Sequence, residues 1–383
     1  MNDKATTGLA LFSAASYLFL YLRLVKKPIL CTGNEKIAKL VAACPSLSQH
    51  FWPPPQCWNE HLQFVPFVIK GELNKLYPKF KWHREWIVLP DGEMLALDWV
   101  ISQSCVGESG LAANPHDDTP ILMLHHGAMC DSSDMPGQDY ISPALERGWL
   151  VCVLNRRGHG DLLRKPKWNF FGCVQDVRCV TQEILNRRPK ARLLTVGLSS
   201  GTAIIATIFG YDNDVNHFHA GVGVCPGYSI EKCMRRFATP YMELLLWRGK
   251  EFFLKANQAL LQHLPGYQQC LDATNLQDWL DSSYAMAGCE SPEAYHKQYN
   301  PVNHCYRAKR PVLFINSEND PLCVVQNYHD EVHKILEKPC SVASVLTKTG
   351  SHCPFYEGVF MRNWAEKVAF EFFDAFLAAY STD

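Results

Sequence analysis

The 383-residue sequence lacks the close cysteine and histidine spacings that mark metal and redox sites. It has 16 cysteines but no C-x-x-C pair and no zinc-type combination of cysteine with histidine. Structural zinc sites need such spacings, and disulfide frameworks belong to short secreted chains. We therefore expect reduced cysteines that pack as small apolar residues, with no metal and no cofactor. The absence of an N-x-S/T sequon agrees with a chain that is not exposed to the secretory lumen.

An excess of charge of one sign is also absent. The chain carries 37 Lys and Arg against 38 Asp and Glu, a formal net charge of −1, and no run of basic residues. Nucleic-acid-binding domains carry basic patches, so nucleic acid is not expected as a partner. A hydrophobic content of 47% is that of an ordinary globular protein large enough to bury a sizeable core.

Long hydrophobic runs are scarce, and the main one is N-terminal. Gly8–Leu22 is interrupted only by two serines and two tyrosines, and three basic residues follow by position 27. This length is near the lower limit for a membrane span. Because the basic residues follow the run and no A-x-A site is present, residues 1–30 are predicted to be an uncleaved signal-anchor rather than a signal peptide. An amphipathic or buried helix is the alternative.

A single-pass protein of the endoplasmic reticulum or another internal membrane follows from this prediction. Positive charge on the C-terminal side of the anchor favours a cytosolic catalytic domain. Proteins of the family named below are often described as facing the other way. The side of the membrane therefore stays open.

Residues 31–82 are predicted to form an irregular, aromatic-rich arm. Three successive prolines, Pro53–Pro55, exclude a helix at that point and favour an extended chain. Next, Trp86–Leu89 and Leu95–Val100 read as a β-hairpin around the Asp91–Gly92 turn. A loop rich in Gly, Ser, Asn and Pro runs from about Ser104 to Pro120.

Strand-like and helix-like segments then alternate. The strand-like runs are Ile121–His125, Trp149–Leu154, Leu193–Gly197, Ala220–Cys225, Pro311–Asn316 and Ser341–Leu346. The helix-like runs are Ile141–Arg147, Val174–Asn186, Thr202–Gly210, Val324–Leu336 and Trp364–Tyr380. Such alternation predicts an α/β fold with a mostly parallel central sheet and helices on both faces. Residues 83–383 would form this catalytic domain. Alternation fails over about 229–305, which is predicted to be an inserted helical cap.

The sequence Gly197-Leu198-Ser199-Ser200-Gly201 lies between a strand-like and a helix-like run. Strand, G-x-S-x-G and helix together are typical of a nucleophile elbow. The turn forces the central serine into a strained backbone conformation, and the glycines leave room for close approach. Ser199 is therefore the predicted nucleophile, although Ser200 is an adjacent serine.

A serine nucleophile needs a general base and a group that orients the base. In this fold the order along the chain is serine, acid, histidine, with acid and base each just after a strand. Asp320 and His352 meet both demands. Glu318 is a rival acid, but the Asp-Pro step after the turn favours Asp320.

The oxyanion hole is predicted to combine the Ser200 amide with an amide of the loop after the first core strand, at Gly127 or Ala128. His126 and Asp131 in the same loop form an H-x-x-x-x-D pattern that is associated with acyl transfer to lipids. That pattern overlaps the oxyanion loop and is frequent by chance.

Several further motifs occur in a characteristic order. They are Trp58–Gln63, Pro90–Gly92 with Leu97–Trp99, Asn155–Gly158, the elbow, Cys225–Ser229, Asn319–Pro321 and His352–Gly358. Over about residues 50–375 the chain thereby resembles the YheT-like branch of the α/β-hydrolases, whose eukaryotic members are membrane-anchored lipases and phospholipases. Two departures from that branch are Thr202, where a second glycine is common, and His126–Cys130, where P-G-x-T-G is common.

The resemblance implies a membrane-associated hydrolase of acylglycerols, phospholipids or medium-chain esters, with Ser199, Asp320 and His352 as its triad. Two alternatives stay open. An acyltransferase would use the same acyl-serine but deliver the acyl group to an alcohol or lysolipid. A non-catalytic binding protein of this fold would not need all three residues. Oligomeric state is not predicted.

Overall fold

The computed structural model describes residues 2–57, 59–102, 118–237 and 239–380. A nine-stranded sheet forms its centre. Its strands are β1 (Ile29–Thr32), β2 (Lys81–Val88), β3 (Met94–Ile101), β4 (Ile121–His125), β5 (Leu150–Leu154), β6 (Leu193–Leu198), β7 (Ala220–Val224), β8 (Val312–Ser317) and β9 (Val342–Thr347). They are arranged in the order β1-β9-β8-β7-β6-β4-β5-β3-β2. Strands β4 to β9 pair in parallel, whereas β1 and the β2–β3 hairpin add antiparallel edges.

Helices cover both faces of the sheet, so the parallel strands are buried on both sides. In β4, Leu122 and Leu124 enter the first core, while Ile121 and Met123 enter the second, on the opposite face of the sheet. The helices outside the cap are α1 (Asn2–Leu24), α2 (Glu35–Ala42), α3 (Pro45–Ser48), α4 (Glu60–Leu76), α5 (Ile141–Glu146), α6 (Val174–Arg187), α7 (Gly201–Ile208), α14 (Val325–Leu336) and α15 (Trp364–Ala379). Helices α2–α5 and α15 contribute to the first core, and α6, α7 and α14 to the second.

The predicted α/β architecture is confirmed. All six core strands occur within about one residue of their predicted bounds, because continuous Val, Ile and Leu runs mark strands buried on both faces. The hairpin is also present, with Gly92 at a φ of 82° in its turn. Of the predicted loop from Ser104 to Pro120, residues 104–117 lie outside the described residues.

The arm predicted to be irregular is instead largely helical. Helix α4 spans 17 residues and contains Pro66. The Asn59 side chain caps its N-terminus by accepting from the Leu62 amide at 2.9 Å. Pro66 cannot donate to the Leu62 carbonyl, and the Cys57 thiol contacts that oxygen at 3.3 Å instead. The sequence pattern missed the helix because the carbonyl freed by its proline is contacted by a side chain that precedes the helix, that of Cys57.

The membrane-spanning anchor predicted for residues 1–30 is not supported. Those residues do contain α1, but among the described residues no helix is both long and apolar enough to cross a bilayer. A span needs roughly 20 predominantly apolar residues. The run Gly8–Leu22 is shorter than that and contains Ser13, Ser16 and two tyrosines.

The segment predicted as a cap is helical. It contains α8 (Ile230–Arg235), α9 (Tyr241–Arg248), α10 (Gln258–Leu261), α11 (Tyr267–Asp272), α12 (Leu276–Ser282) and α13 (Pro292–Tyr299), with a wider helical turn at Gly249–Lys255. These helices share a third core in which Trp168 stacks on Phe253 at 3.9 Å and meets Trp279 edge-on. The cap lies over the carboxyl ends of the strands, where the predicted catalytic residues are found.

Candidate active site

Ser199 occupies a strained turn between β6 and α7. Its φ is 52°, in the left-handed region that non-glycine residues rarely adopt. The Ser199 amide donates to the Val224 carbonyl at 2.9 Å, and Thr202 Oγ1 donates to the Ser199 carbonyl at 2.5 Å. These bonds to β7 and α7 hold the strained residue in place. Thr202, where the resembling branch commonly has glycine, therefore fits this turn.

The two glycines of the pentapeptide are required because a side chain at either position would clash with neighbouring backbone atoms. A Cβ at Gly197 would lie 2.6 Å from the Gly201 carbonyl oxygen. A Cβ at Gly201 would lie 2.5 Å from the His125 carbonyl oxygen and 2.7 Å from that of His126. Any larger residue would push the helix away from the strand ends. The close packing of backbone on backbone thus sets the position of the serine relative to the loop after β4.

The three residues predicted as a triad lie together at the carboxyl edge of the sheet. His352 Nε2 is 2.7 Å from Ser199 Oγ. His352 Nδ1 lies 2.8 Å from one Asp320 carboxylate oxygen and 3.0 Å from the other. Both Asp320 and His352 are buried, whereas Ser199 is partly open to the cavities described below. The imidazole can therefore accept the serine proton on one nitrogen while the carboxylate holds the other.

The acid is held by the turn that follows β8. Asp320 Oδ1 accepts from the amides of Leu322 and Cys323, both at 2.8 Å. Its rival Glu318 forms an ion pair with Lys348 at the surface. Asp320 is thus the acidic residue that reaches His352, as the Asp-Pro step favoured.

The loop that carries the histidine is fixed by the loop that carries the acid. The Ser351 amide donates to Asn319 Oδ1 at 3.0 Å, and Ser317 Oγ donates to the Ser351 carbonyl at 2.7 Å. Ser351 and Cys353 have φ values of 58° and 78°. Sequence reasoning did not assign a role to Asn319 or Ser317. The Asn319–Pro321 motif was their only signal.

Electrostatics favour a charged imidazole at His352. Burial alone would lower the pKa of His352, but the adjacent Asp320 carboxylate outweighs burial and raises this pKa above its ordinary value. The neighbouring Cys225 keeps its proton, because burial raises the pKa of its thiol well above the ordinary value. Asp320 is therefore placed to stabilise the imidazolium that forms when His352 takes the serine proton.

The loop after β4 runs beside the nucleophile. A Cβ at Gly127 would lie 3.6 Å from Ser199 Cβ. Within the described part of the chain, the backbone amides of Ser200 and Ala128 donate to no protein acceptor. Two such amides beside a nucleophilic oxygen are what an oxyanion hole requires.

His126 and Asp131 do not form a catalytic pair. His126 is fully buried, and its Nδ1 lies 2.8 Å from the Gly127 carbonyl oxygen. The Asp131 carboxylate accepts from the amide and hydroxyl of Ser133. The H-x-x-x-x-D pattern therefore has a structural explanation here.

A polar network that sequence reasoning missed braces this loop from below. Asn155 Oδ1 accepts from the Ser132 amide at 2.9 Å, and Asn155 Nδ2 donates to Asp98 at 2.8 Å. Asp98 is also bound by the Arg84 guanidinium through two contacts of 2.7 Å. The sequence identifies Asn155–Gly158 only as a motif of resemblance. In the structure Asn155 holds the loop that contains Gly127.

Two cavities meet at Ser199. The inner cavity, of about 40 Å³, extends under the cap and is mostly apolar; its lining includes Phe170, Phe171, Ala203, Met234, Phe237 and Leu276. The outer cavity, of about 130 Å³, reaches His352 and lies against α4; its lining includes Phe64, Phe67, Val68, Tyr241 and Leu322. Ala128, Ser199 and Leu245 line both cavities. A bound molecule could thus place groups on both sides of the serine hydroxyl.

Metal-ligating atoms occur in this region, but they coincide with the triad. Cys225 and Cys353 lie close to His352, as do Asp320 and Cys323, with ligand atoms within 4.8 Å in each group. A metal at either place would take the nitrogen that holds Asp320 or displace the contact to Ser199. Burial raises the pKa of the Cys225 thiol, and the hydrogen bond with Cys233, followed by burial, raises that of the Cys323 thiol. Both effects disfavour the thiolate that metal binding needs.

A parallel sheet with a serine at a strand–helix elbow, a histidine and an aspartate defines the class of α/β hydrolases. The family model described as serine aminopeptidase, S33 (Hydrolase_4) matches residues 118–358. The chain belongs to that family.

Curated relatives extend over nearly the whole chain. Human phospholipase ABHD3 is 24% identical over 366 residues, which cover 93% of this chain and 86% of that protein. Monoacylglycerol lipase ABHD2 from Danio rerio is 23% identical over 400 residues, which cover 96% of this chain and 91% of that protein. These relatives and the family confirm the predicted membership of the α/β-hydrolase superfamily and the prediction of an enzyme.

Solved structures show the same fold. A puromycin-hydrolyzing peptidase from Mycobacterium tuberculosis superposes with a TM-score of 0.50 at 15% identity, covering 76% of this chain and 38% of that one. An acylaminoacyl peptidase in complex with Z-Gly-Gly-Phe-chloromethyl ketone also reaches a TM-score of 0.50 at 15% identity, covering 81% and 43%.

The geometry predicts a pH dependence with a definite sign. A general base must be neutral, so kcat/KM should rise with pH through the pKa of His352 in the free enzyme. Because Asp320 raises that pKa, the midpoint should lie above roughly 6.5, the ordinary value for histidine. Asp320→Asn should move the midpoint to lower pH and reduce kcat by about 10⁴. A pH–rate profile with a soluble ester measures both effects.

Glu318→Gln is the matched control, because this carboxylate pairs with Lys348 and does not contact His352. It should leave the midpoint in place. An identical midpoint in Asp320→Asn and wild type would contradict the assignment of Asp320.

Proposed function

We propose that the protein is a serine hydrolase that cleaves carboxylic esters of lipids. Ser199 attacks the acyl carbonyl while His352 accepts its proton, held in the required tautomer by Asp320. The amides of Ser200 and Ala128 stabilise the oxyanion, His352 protonates the departing alcohol, and water then releases the acyl group from Ser199. The observation that carries this proposal is the 2.7 Å contact between Ser199 Oγ and His352 Nε2 at the junction of two cavities.

In this proposal residues 83–383 form the catalytic domain, with a cap over about 229–305, and residues 31–82 form an arm that closes one side of the site. The cap contributes Met234 and Phe237 to the inner cavity, and the arm contributes Phe64 and Phe67 to the outer one. We also propose that the chain belongs to the YheT-like branch that its motifs resemble.

A lipid ester is the substrate class that the linings of the cavities favour. The inner cavity is lined mainly by aromatic and aliphatic side chains, which are the surroundings that an acyl chain requires. The outer cavity continues past Glu72 and Arg248 into a polar space of about 430 Å³ that suits the alcohol or head group. The names of two relatives, a phospholipase and a monoacylglycerol lipase, support the same class.

Ser199→Ala should abolish labelling by a fluorophosphonate probe and hydrolysis of a p-nitrophenyl ester. Ser200→Ala should retain both at a reduced rate, because this substitution keeps the backbone amide that the oxyanion needs. Gel fluorescence of the labelled protein measures the first effect and absorbance of released nitrophenol the second.

Loss of labelling in Ser200→Ala alone, in a protein that remains folded, would refute the assignment of the nucleophile. Adding a competing alcohol separates the two enzymatic alternatives. Free fatty acid as the main product supports a hydrolase, whereas a new ester would identify an acyltransferase. Absence of labelling in the folded wild type would leave a binding protein.

The inner cavity predicts selection by acyl chain length. Ala203 lies on α7 and lines this cavity. Ala203→Leu should lower kcat/KM for octanoyl and longer esters about tenfold more than for acetyl or butyryl esters, since a few added methyl groups in an apolar pocket discriminate on that scale. A chain-length series of p-nitrophenyl esters measures the ratio.

Ala379→Leu, at the exposed end of α15, is the control for chain-length selection and should leave it unchanged. Equal losses for short and long esters in Ala203→Leu would place the acyl chain elsewhere.

We further propose that the protein associates with a lipid surface through α4. One face of this helix lines the outer cavity with Phe64, Phe67 and Val68. Its other face exposes Leu62, Val65, Ile69, Leu73 and Leu76, at 39–71% exposure and at spacings of three and four residues. An apolar stripe at helical spacing that faces solvent is typical of an interfacial helix. The stripe would bring the outer cavity to the lipid from which substrate enters.

Ile69→Glu combined with Leu73→Glu should lower binding to phosphatidylcholine vesicles by about tenfold or more, because each inserted large apolar side chain contributes roughly 1.5–3 kcal/mol. Co-sedimentation with vesicles measures the bound fraction. Val88→Glu, at an exposed apolar position on β2, is the control and should bind as wild type does. Equal losses in both variants would argue against α4 as the contact.

A further inference from the structure

Arg156 lies directly behind the loop and the turn that supply the proposed oxyanion amides. Its side chain is buried, with only 5% of the residue exposed. One guanidinium nitrogen, Nη2, donates to the Gly127 carbonyl at 2.8 Å and to Ser200 Oγ at 3.1 Å. A single nitrogen therefore joins the loop after β4 to the residue that follows the nucleophile.

The charge of Arg156 is not balanced by a carboxylate. Among the described residues Arg156 forms no ion pair, and its Nε and Nη1 have no hydrogen-bond partner. The adjacent Arg157 is also buried, but it pairs with Asp91 at 2.7 Å and with Asp176 at 2.6 Å. Of these two neighbouring buried arginines, Arg157 is paired with two carboxylates, whereas Arg156 is paired with none among the described residues. A buried unpaired charge opposes folding, so its presence beside a candidate active site points to a role in function.

Histidines rather than acids surround this guanidinium. Burial, followed by the charge of Arg156, lowers the pKa values of His125 and His159 to about 3 and that of His126 well below its ordinary value. The rings are therefore neutral near pH 7. His126 Nε2 accepts from the Arg156 amide at 3.3 Å, so Nδ1 carries the proton and donates to the Gly127 carbonyl at 2.8 Å. Arg156 Nη2 and His126 Nδ1, which lie 3.3 Å apart, are then two donors directed at this one oxygen and do not bond to each other. Two donors thus hold the same carbonyl oxygen.

Anchoring that carbonyl fixes the direction of the next amide. In a planar trans peptide the C=O and N–H bonds point in opposite directions. With the Gly127 oxygen held by Arg156 and His126, the Ala128 N–H lies in the same peptide plane and points in the opposite direction, away from Arg156. The same hydrogen bonds polarise the peptide and make its N–H a better donor. The contact to Ser200 Oγ similarly restrains the residue that provides the second amide.

We propose that Arg156 is a positioning residue for the oxyanion hole, bridging the Gly127 carbonyl and Ser200 Oγ so that the amides of Ala128 and Ser200 are aligned and strengthened. This inference rests on the proposed function. Arg156 does not contact the reacting atoms in this arrangement and acts through the two peptides. Its unpaired positive charge adds to the field at the place where the carbonyl oxygen becomes negative.

The expected kinetic signature follows from when that negative charge appears. The ester oxygen is nearly neutral in the bound substrate and becomes an oxyanion only in the tetrahedral intermediate. Stabilisation that is stronger in the transition state than in the ground state raises kcat and leaves KM nearly unchanged. Loss of Arg156 should therefore change kcat far more than KM.

The test compares Arg156→Met with wild type in three measurements. We expect kcat for a p-nitrophenyl ester to fall about 10- to 100-fold, less than the 10²–10³ typical of removing a direct oxyanion donor. KM should change less than about twofold. Affinity for an alkyl trifluoromethyl ketone, which forms a tetrahedral adduct with serine, should fall in parallel with kcat. The thermal midpoint should stay constant or rise, because the unpaired buried charge is gone.

Arg157→Met is the matched control at the adjacent position. It leaves the Asp91 and Asp176 carboxylates without their partner, so the thermal midpoint should fall. Arg157 does not contact the oxyanion loop, so kcat and ketone affinity of the folded protein should remain those of wild type. Opposite effects on stability and catalysis in the two variants would separate positioning from general structural support.

Two further variants keep the inference testable if Arg156→Met does not fold. Arg156→Lys retains the charge but lacks the planar fork, so it should recover part of kcat. The Arg156→Met effect should also be smaller in a Ser200→Ala background than in wild type, because one end of the bridge is already absent. An unchanged kcat and ketone affinity in a folded Arg156 variant, or additive effects with Ser200→Ala, would overturn the inference.

Failure of this inference is distinguishable from failure of the proposed function. Wild type that reacts with the fluorophosphonate probe while Arg156 variants keep full kcat would overturn the role of Arg156 alone. Wild type that does not react with the probe would overturn both proposals.

Discussion

The site depends on backbone-to-backbone packing at the elbow. Gly201 lies against the carbonyl oxygens of His125 and His126, and Gly197 lies against Gly201. No side chain separates β6, α7 and the end of β4 at this point. The strained Ser199 and the loop after β4 are therefore held together by backbone contacts, and Asp320 and His352 approach the serine from the neighbouring strand ends.

Asp320 and His352 lie beside Ser199 because the parallel strands end at the same edge of the sheet. Asp320 follows β8 and His352 follows β9. Ser317 and Asn319 form hydrogen bonds to Ser351, and these bonds join the two segments. Asp320 also contacts His352 directly. Asp320 and His352 are buried, and burial affects the histidines of this region differently. Burial lowers the pKa of His352, but the adjacent Asp320 carboxylate outweighs it and raises this pKa above the ordinary value. Burial, together with the charge of Arg156, lowers the pKa of His126 well below the ordinary value.

Two segments far apart in the chain enclose the serine and decide what can bind. The cap closes the inner cavity with Met234 and Phe237, and α4 closes the outer cavity with Phe64 and Phe67. His61 and Phe64 of α4 meet Tyr241 of the cap, so the two segments contact each other above the site. The apolar character of both cavities follows from this double cover. Within one family, differences in such covers can change substrate class without altering the elbow.

The sequence by itself determined the core of this protein. Continuous apolar runs identified the six parallel strands, and G-x-S-x-G with the order of Asp320 and His352 located the candidate site, because these patterns reflect local backbone geometry and the rule that strand ends meet. The helical nature of the arm, the direction of α4 and the bridging position of Arg156 were decided only by the folded structure. The arm helix depends on the Cys57 side chain, which contacts the carbonyl freed by Pro66. The other two depend on residues far apart in the chain, as when Arg156 bridges the Gly127 carbonyl and Ser200 Oγ. Contacts between residues far apart in the chain do not produce a periodic pattern in the sequence, so they are seen only in the folded structure.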